Sequence, residues 1–168
     1  MDYAKVLRPV DGIQIVDDIL AQFGVETLEG RIGPLLWGVG GHIHFLDMPP
    51  GMFVGEHPHS RESFVYTVRG RWVLCSHGYR HLMRPGNLFW FGPGAPTGYE
   101  VPFDEPAYIM CFNAKKQESP DTFVDYLRNK FGPQCEAEHQ SGIPFLLDEL
   151  AADHPARLFA HQVNPARY

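Results

Sequence analysis

The chain has 168 residues, enough for one domain with its own core. It is 44% hydrophobic, 13% aromatic and 20% charged, a composition that excludes intrinsic disorder. With 14 basic against 20 acidic residues and a net charge of -6, it has no electrostatic footprint for nucleic acid or anionic membrane. The 17 glycines and 15 prolines exceed the usual ~12% share and point to many turns, hence to short strands rather than a helical bundle. No stretch approaches the ~18 apolar residues of a membrane span. The start, Met1 to Lys5, lacks the basic-then-apolar shape of a signal peptide. Cys75, Cys111 and Cys135 are sparse, odd in number and without CxxC spacing. They read as buried thiols of a cytoplasmic protein rather than a disulfide framework or zinc site.

Residues 1–33 read as an N-terminal arm. Val16, Ile19, Leu20 and Phe23 fit a short helix within Asp11–Phe23, while Ile13 and Ile15 fit a strand equally well. From 34 to 114 the texture is that of short strands separated by turns. Strands are expected at Leu35–Val39, His42–Leu46, Ser63–Val68, Arg71–Ser76, Arg80–Met83, Leu88–Phe91 and Tyr108–Asn113, with Gly92–Pro96 as a loop. This spacing predicts an antiparallel sandwich or barrel. Residues 115–168 read as a helical extension packed on the barrel, the whole forming a single domain. Ser119 caps a helix, Pro120 and Asp121 suit its first turn, and Gly132-Pro133 is expected to stop it. A second short helix is expected at Pro144–Ala152.

The segment richest in chemistry runs from Gly51 to Gly70. Residues two apart on a strand share a face, so His57 and His59 point into one space. A carboxylate and a third imidazole would complete an octahedral Fe(II), Mn(II) or Ni(II) site. Of the other histidines, His42 and His44 either face the cavity from an adjacent strand or serve structure. The aromatics Trp72, Phe89, Trp90 and Phe91 fit core, subunit interface or the wall of a ring-binding pocket, with Trp72 as the pocket candidate.

Gly51, His57, His59 and Gly70 resemble the first motif of the cupin superfamily: Gly, five residues, His-x-His, three or four residues, Glu, about six residues, Gly. Ser63 stands at the Glu position and Glu62 one residue early, a shift that turns a strand residue to the other face unless a bulge restores it. The second motif is matched by Gly86 and Gly94. Gly92 stands at its proline, Thr97 at its histidine and Val101 at its asparagine. The metal candidates are therefore His57, His59 and Glu62, in a site left incomplete by Ser63 and Thr97.

The resemblance implies a mostly β, double-stranded β-helix (jelly-roll barrel) with a helical C-terminal extension. By length, by its missing histidine, by its aromatic strands and by its helical extension, the chain also resembles the small subunit of two-component hydroquinone dioxygenases. That likeness implies a metal-free subunit, Fe(II) held in a larger cupin partner, a heterotetramer and a small aromatic substrate. Two alternatives stay open. One is a stand-alone cupin enzyme with a divalent metal at His57 and His59, and the other a non-catalytic binding barrel.

Overall fold

Among the described residues, turns separate twelve strands, grouped in three antiparallel sheets. The computed structural model describes residues 5–114 and 117–168. The reading of the first four residues and the boundary at 115 therefore lie outside the described residues. The strands are β1 (Val6–Leu7), β2 (Ile15–Val16), β3 (Val25–Thr27), β4 (Gly30–Trp37), β5 (Gly41–Met48), β6 (Phe53–Pro58), β7 (Ser63–Arg69), β8 (Trp72–Ser76), β9 (Tyr79–Met83), β10 (Leu88–Phe91), β11 (Pro96–Glu100) and β12 (Ala107–Ala114). A six-stranded sheet has the order β10-β7-β12-β5-β4-β3 and a four-stranded sheet the order β6-β11-β8-β9. β1 and β2 form a separate ribbon.

The two larger sheets share one core. Met48, Val65, Ile109 and Phe91 from the first sheet meet Val54, Trp72, Met83 and Tyr99 from the second. Alternation decides which residues enter it. On β7, Ser63, Val65 and Thr67 are buried while Phe64 is exposed. The outer face of the six-stranded sheet carries a second cluster, Leu35, Phe45 and Tyr108. Val16 and Ile19 of the N-terminal arm cover it, and the Tyr108 hydroxyl donates to the Ile19 carbonyl at 2.6 Å. Within the segment that fits helix or strand alike, the chain makes β2 and then a single 3-10 turn, Ile19–Ala21. The arm also contributes two strands to the main sheet, since β3 and β4 begin before residue 34.

The described residues of the C-terminal extension form the α-helices α1 (Pro120–Tyr126), α2 (Gly132–Gln140) and α3 (Pro155–Val163). Ser119 caps α1, its hydroxyl accepting the Thr122 N–H at 3.2 Å. Gly132-Pro133 does not end the helical run. A widened π turn over Leu127–Phe131 lets the Gly132 N–H reach the Leu127 carbonyl, five residues back, and Pro133 enters the first turn of α2. The expected helix at Pro144–Ala152 shrinks to a 3-10 turn at Leu147–Glu149. The barrel edge captures this segment instead, for Phe53 N–H donates to the Phe145 carbonyl and Leu147 N–H to the Gly51 carbonyl. In α3, Ala156 and Ala160 pack on Phe53 and Leu147. Among the described residues no helix is long and apolar enough to cross a membrane.

Candidate functional site at the barrel mouth

The pairing of β6 with β11 is what turns the two histidines inward. Thr97 pairs with His57 and Tyr99 with Val54, so two residues of β6, Gly55 and Glu56, oppose Gly98 alone on β11. This is a bulge at Gly55-Glu56. Val54 points into the core, and strict alternation would send Glu56 inward and His57 out. The extra residue resets the phase, so that His57 and His59 line a cavity of about 310 Å3. Gly98 lies against the bulge. A Cβ there would sit 2.9 Å from the Val54 carbonyl oxygen and 3.2 Å from the Glu56 nitrogen.

Each imidazole is held. His57 Nδ1 lies 3.0 Å from the Gly55 carbonyl, which can only accept, so Nδ1 donates. His59 Nε2 lies 2.7 Å from the Thr97 hydroxyl, and the Thr97 hydroxyl donates to the Tyr99 hydroxyl at 3.2 Å. The result is a relay, His59 to Thr97 to Tyr99. The two imidazole rings are 4.6 Å apart, and His59 lies 4.6 Å from the Phe91 ring. Burial pushes the Tyr99 phenol well above its ordinary value and the Cys111 thiol up to about 12, so both stay protonated in the cavity wall.

Glu29 is the carboxylate the sequence did not single out. It sits in the tight turn from β3 to β4. The Thr27 hydroxyl accepts the Glu29 N–H at 3.1 Å and donates to the Gly30 carbonyl at 2.7 Å. Gly30 has φ +99°, and a Cβ there would meet the Asp47 carbonyl oxygen at 2.6 Å, so the turn requires glycine. Glu29 and His57 line both the main cavity and a second chamber of about 340 Å3, which α2 roofs with Cys135 and Glu138. Burial raises the Glu29 carboxyl above its usual range, with the His57 charge opposing and Glu138 adding to the rise. Phe123, Tyr126, Leu127 and Phe131 of the helical extension close the remaining wall.

The candidates from the motifs go to different places. Ser63, at the motif's Glu position, faces inward, and its hydroxyl donates to the Asn113 side-chain oxygen. Glu62 is exposed at the rim, where its carboxylate accepts the Trp90 indole N–H at 2.8 Å. Trp72 is fully buried in the core, its indole N–H donating to the Thr67 hydroxyl at 2.9 Å. It does not line the cavity but stacks on Tyr99, which does, at 5.2 Å between ring centroids. His44 lines the cavity, whereas His42 is buried against Trp37 with ring centroids 4.3 Å apart. Cys75, Cys111 and Cys135 are all unpaired and buried. Tyr99 was within reach of the sequence, since on one strand it shares a face with Thr97. Glu29 was not, because nothing local in a turn says which cavity it enters.

Residues 44–113 match the family model described as Cupin domain. The fold is a cupin jelly roll. A Cupin 2 conserved barrel domain protein from Salinispora arenicola is 20% identical with a TM-score of 0.51, over 74% of this chain and 96% of that one. The DMSP lyase DddQ from Ruegeria pomeroyi is 18% identical with a TM-score of 0.44, over 49% of this chain. This chain spans only 42% of that lyase's length. KdgF from Halomonas sp. is 13% identical with a TM-score of 0.47, over 52% of this chain and 80% of that one. At these identities the likeness concerns fold alone. No curated protein sequence matches the chain.

A cupin fold raises the question of a metal, and the donor set answers it here. A transition-metal ion needs several convergent N, O or S donors with free lone pairs. His59 Nε2 is engaged by Thr97, Ser63 bonds to Asn113, and the Glu62 carboxylate is held by Trp90. Among the described residues, no three His, Cys, Asp or Glu side chains gather in a way that could hold an ion. The residues as arranged do not fit a tightly held metal.

Proposed function

We propose that this chain works as a cupin barrel without a metal of its own, as the small subunit beside a larger, iron-binding cupin chain. The assembly would be an aromatic ring-cleaving dioxygenase of the hydroquinone type, with a heterotetramer as its expected form. The observation that carries the reading is the 2.7 Å contact between His59 Nε2 and the Thr97 hydroxyl. With the Thr97 hydroxyl donating to Tyr99, it accepts the His59 Nε2 proton, so this ring nitrogen is not offered to an ion, and a hydroxyl stands where a third imidazole would. The outer surface supports a partner. Phe64, Leu88 and Trp90 are 49%, 64% and 56% exposed. They lie on adjacent strands, with Trp90 paired to Phe64 and β10 at the edge of its sheet. An exposed apolar strip at a sheet edge is a liability that association removes.

In this reading the chain's residues would stabilise the assembly, and the iron that supports ring opening would be held by the partner. The test is co-expression with a candidate large chain, followed by metal analysis and oxygen uptake with hydroquinone. Iron and turnover are expected only when both chains are present. Turnover by the isolated small chain, or stoichiometric iron bound to it, would refute the proposal and favour a stand-alone metal enzyme.

A further inference from the structure

We infer that the outer face of the six-stranded sheet joins two copies of this chain about a two-fold axis, with Val39 of each copy seated in the other's groove beside Phe64. The inference does not depend on the barrel cavity or on a larger chain. In a heterotetramer it is the contact between the two small chains. Three observations carry it.

The first is an unbroken apolar row. Trp90 pairs with Phe64, Phe64 with Phe112, Phe112 with Ile43, and Ile43 with Leu36. Residues directly opposite on antiparallel strands share a face, so these five side chains cross β10, β7, β12, β5 and β4 in one line. The line points away from the barrel core, because alternation on β7 turns Ser63 and Val65 inward and Phe64 outward. The N-terminal arm covers this face further along, where Val16 and Ile19 lie on Phe45 and Tyr108. At the β10 end Phe64 and Trp90 stay exposed, as does Leu88 one row on.

The second is a knob beside a groove. Leu36, Ile43, Phe64 and Phe112 line a groove of about 430 Å3, bordered by Gly38, Gly40 and Gly41 of the turn from β4 to β5. The Gly38 N–H donates to the Gly41 carbonyl at 2.8 Å and closes that turn, and Val39 at its tip is 98% exposed. Removing such a side chain from water is favourable. Because knob and groove are neighbours, a two-fold axis passing between them seats each Val39 in the opposite groove, and one contact is made twice.

The third is charge. A two-fold contact sets every charge near the axis against its own copy, so its centre has to be neutral. The row is uncharged, although the chain carries a net charge of -6. Of the ionisable groups around it, Glu62 is held at the rim by the Trp90 indole, with Arg61 next to it in the chain, and His42 stacks on Trp37. Arg69, Asp47 and Arg31 share the face two rows away, where Asp47 pairs with both arginines. A charged partner finds no complement along the row, whereas an identical neutral row fits it. Five strands about 4.8 Å apart and two rows deep give a contact on the order of 400 Å2 per copy, about half of a standard interface. The pair is therefore weak, with a Kd of about 10–100 μM.

The test is sedimentation velocity on the full chain, with reductant, from about 2 to about 500 μM. The mass is expected to rise from that of one chain to that of two. Phe64→Arg and Val39→Asp each bring a charge into the contact and should weaken it at least about tenfold. Both positions are exposed, and thermal melts establish that the variants are folded. Mixed one to one, the two variants should pair again. The new carboxylate of one chain then meets the new guanidinium of the other, while the second contact keeps both original residues. A chain that stays monomeric at the highest concentration, a dimer indifferent to both substitutions, or a mixture that does not pair overturns the inference. Co-expression with a candidate large chain separates this contact from the proposed function. A small chain that is monomeric alone and loses the large chain on Phe64→Arg assigns the face to the large chain and overturns the inference. A dimer that meets all these expectations yet recruits no large chain upholds the inference and refutes the proposed function.

Discussion

Arg80 and Glu100 form a buried ion pair whose disruption tests the packing argument directly. Arg80 lies on β9 and Glu100 on β11, so their contact spans β8 and ties down the strand that carries Thr97 and Tyr99. The guanidinium meets the carboxylate at 2.9 Å through one terminal nitrogen, and Nε lies 3.1 and 3.2 Å from its two oxygens. The side chains are only 11% and 2% exposed. Arg80→Met keeps most of the apolar stem but strands a buried carboxylate, a change that costs about 3–5 kcal/mol. For a chain of this length that corresponds to a melting temperature lower by roughly 6–20 °C. The double variant Arg80→Met/Glu100→Leu removes both charges and should recover most of the loss.

The pH dependence has a definite sign. Burial raises the Glu100 carboxyl above its unfolded value even with Arg80 beside it. Without Arg80 it rises further. A raised carboxyl stabilises the fold when protonated, and that contribution is lost as pH climbs through the folded value. The deficit of Arg80→Met should therefore be smaller at pH 5 than at pH 8. Urea unfolding followed by circular dichroism at both values measures it. A single variant within about 1 kcal/mol of the wild type, or a double variant no better than the single, would refute the reasoning.

Three other expectations follow from the same structure. Thr97→Val preserves shape but leaves His59 Nε2 and the Tyr99 hydroxyl without their shared partner, so it should lower stability by about 1–3 kcal/mol in urea titrations. Gly98→Ala forces a Cβ against the Val54 carbonyl and should cost about 1–3 kcal/mol while shifting the His57 ring resonances, as read by NMR. Burial lifts the Cys75 thiol to about 11 and the Cys135 thiol to about 12, so a thiol reagent at pH 8 should react slowly with native protein and with three groups per chain in guanidinium.

Most of the strand order was legible because alternation and turn residues speak locally. Leu88–Phe91 has the same bounds in sequence and structure, and β7 and β9 lie within one residue of their expected limits. β6 and β11 were not legible. Pro96 and Gly98 punctuate β11 like a loop, yet Pro96 occupies the first strand position, where its missing N–H is tolerated, and Gly98 yields to a close backbone. The shared face of His57 and His59 followed from period two alone. That this face is the inner one depends on a bulge created by pairing with a distant strand, and no local pattern encodes it. The register also placed Ser63 rather than Glu62 on the inner face, as alternation on a strand requires. The helical run through Gly132-Pro133 was hidden by residues that ordinarily end helices, and the π turn that admits them is set by packing on the barrel. Glu29 stayed hidden because its place in the cavity wall comes from where a hairpin tip lands, not from its neighbours in sequence.

We propose that a hydrogen-bonded relay through Thr97 stands in place of a metal site. Anaerobic calorimetric titration of the chelator-stripped chain with Fe(II) tests it most directly. The account predicts no saturable uptake in the micromolar range and no change on His57→Ala/His59→Ala substitution. One tightly bound ion per chain, abolished by that double substitution, would contradict it.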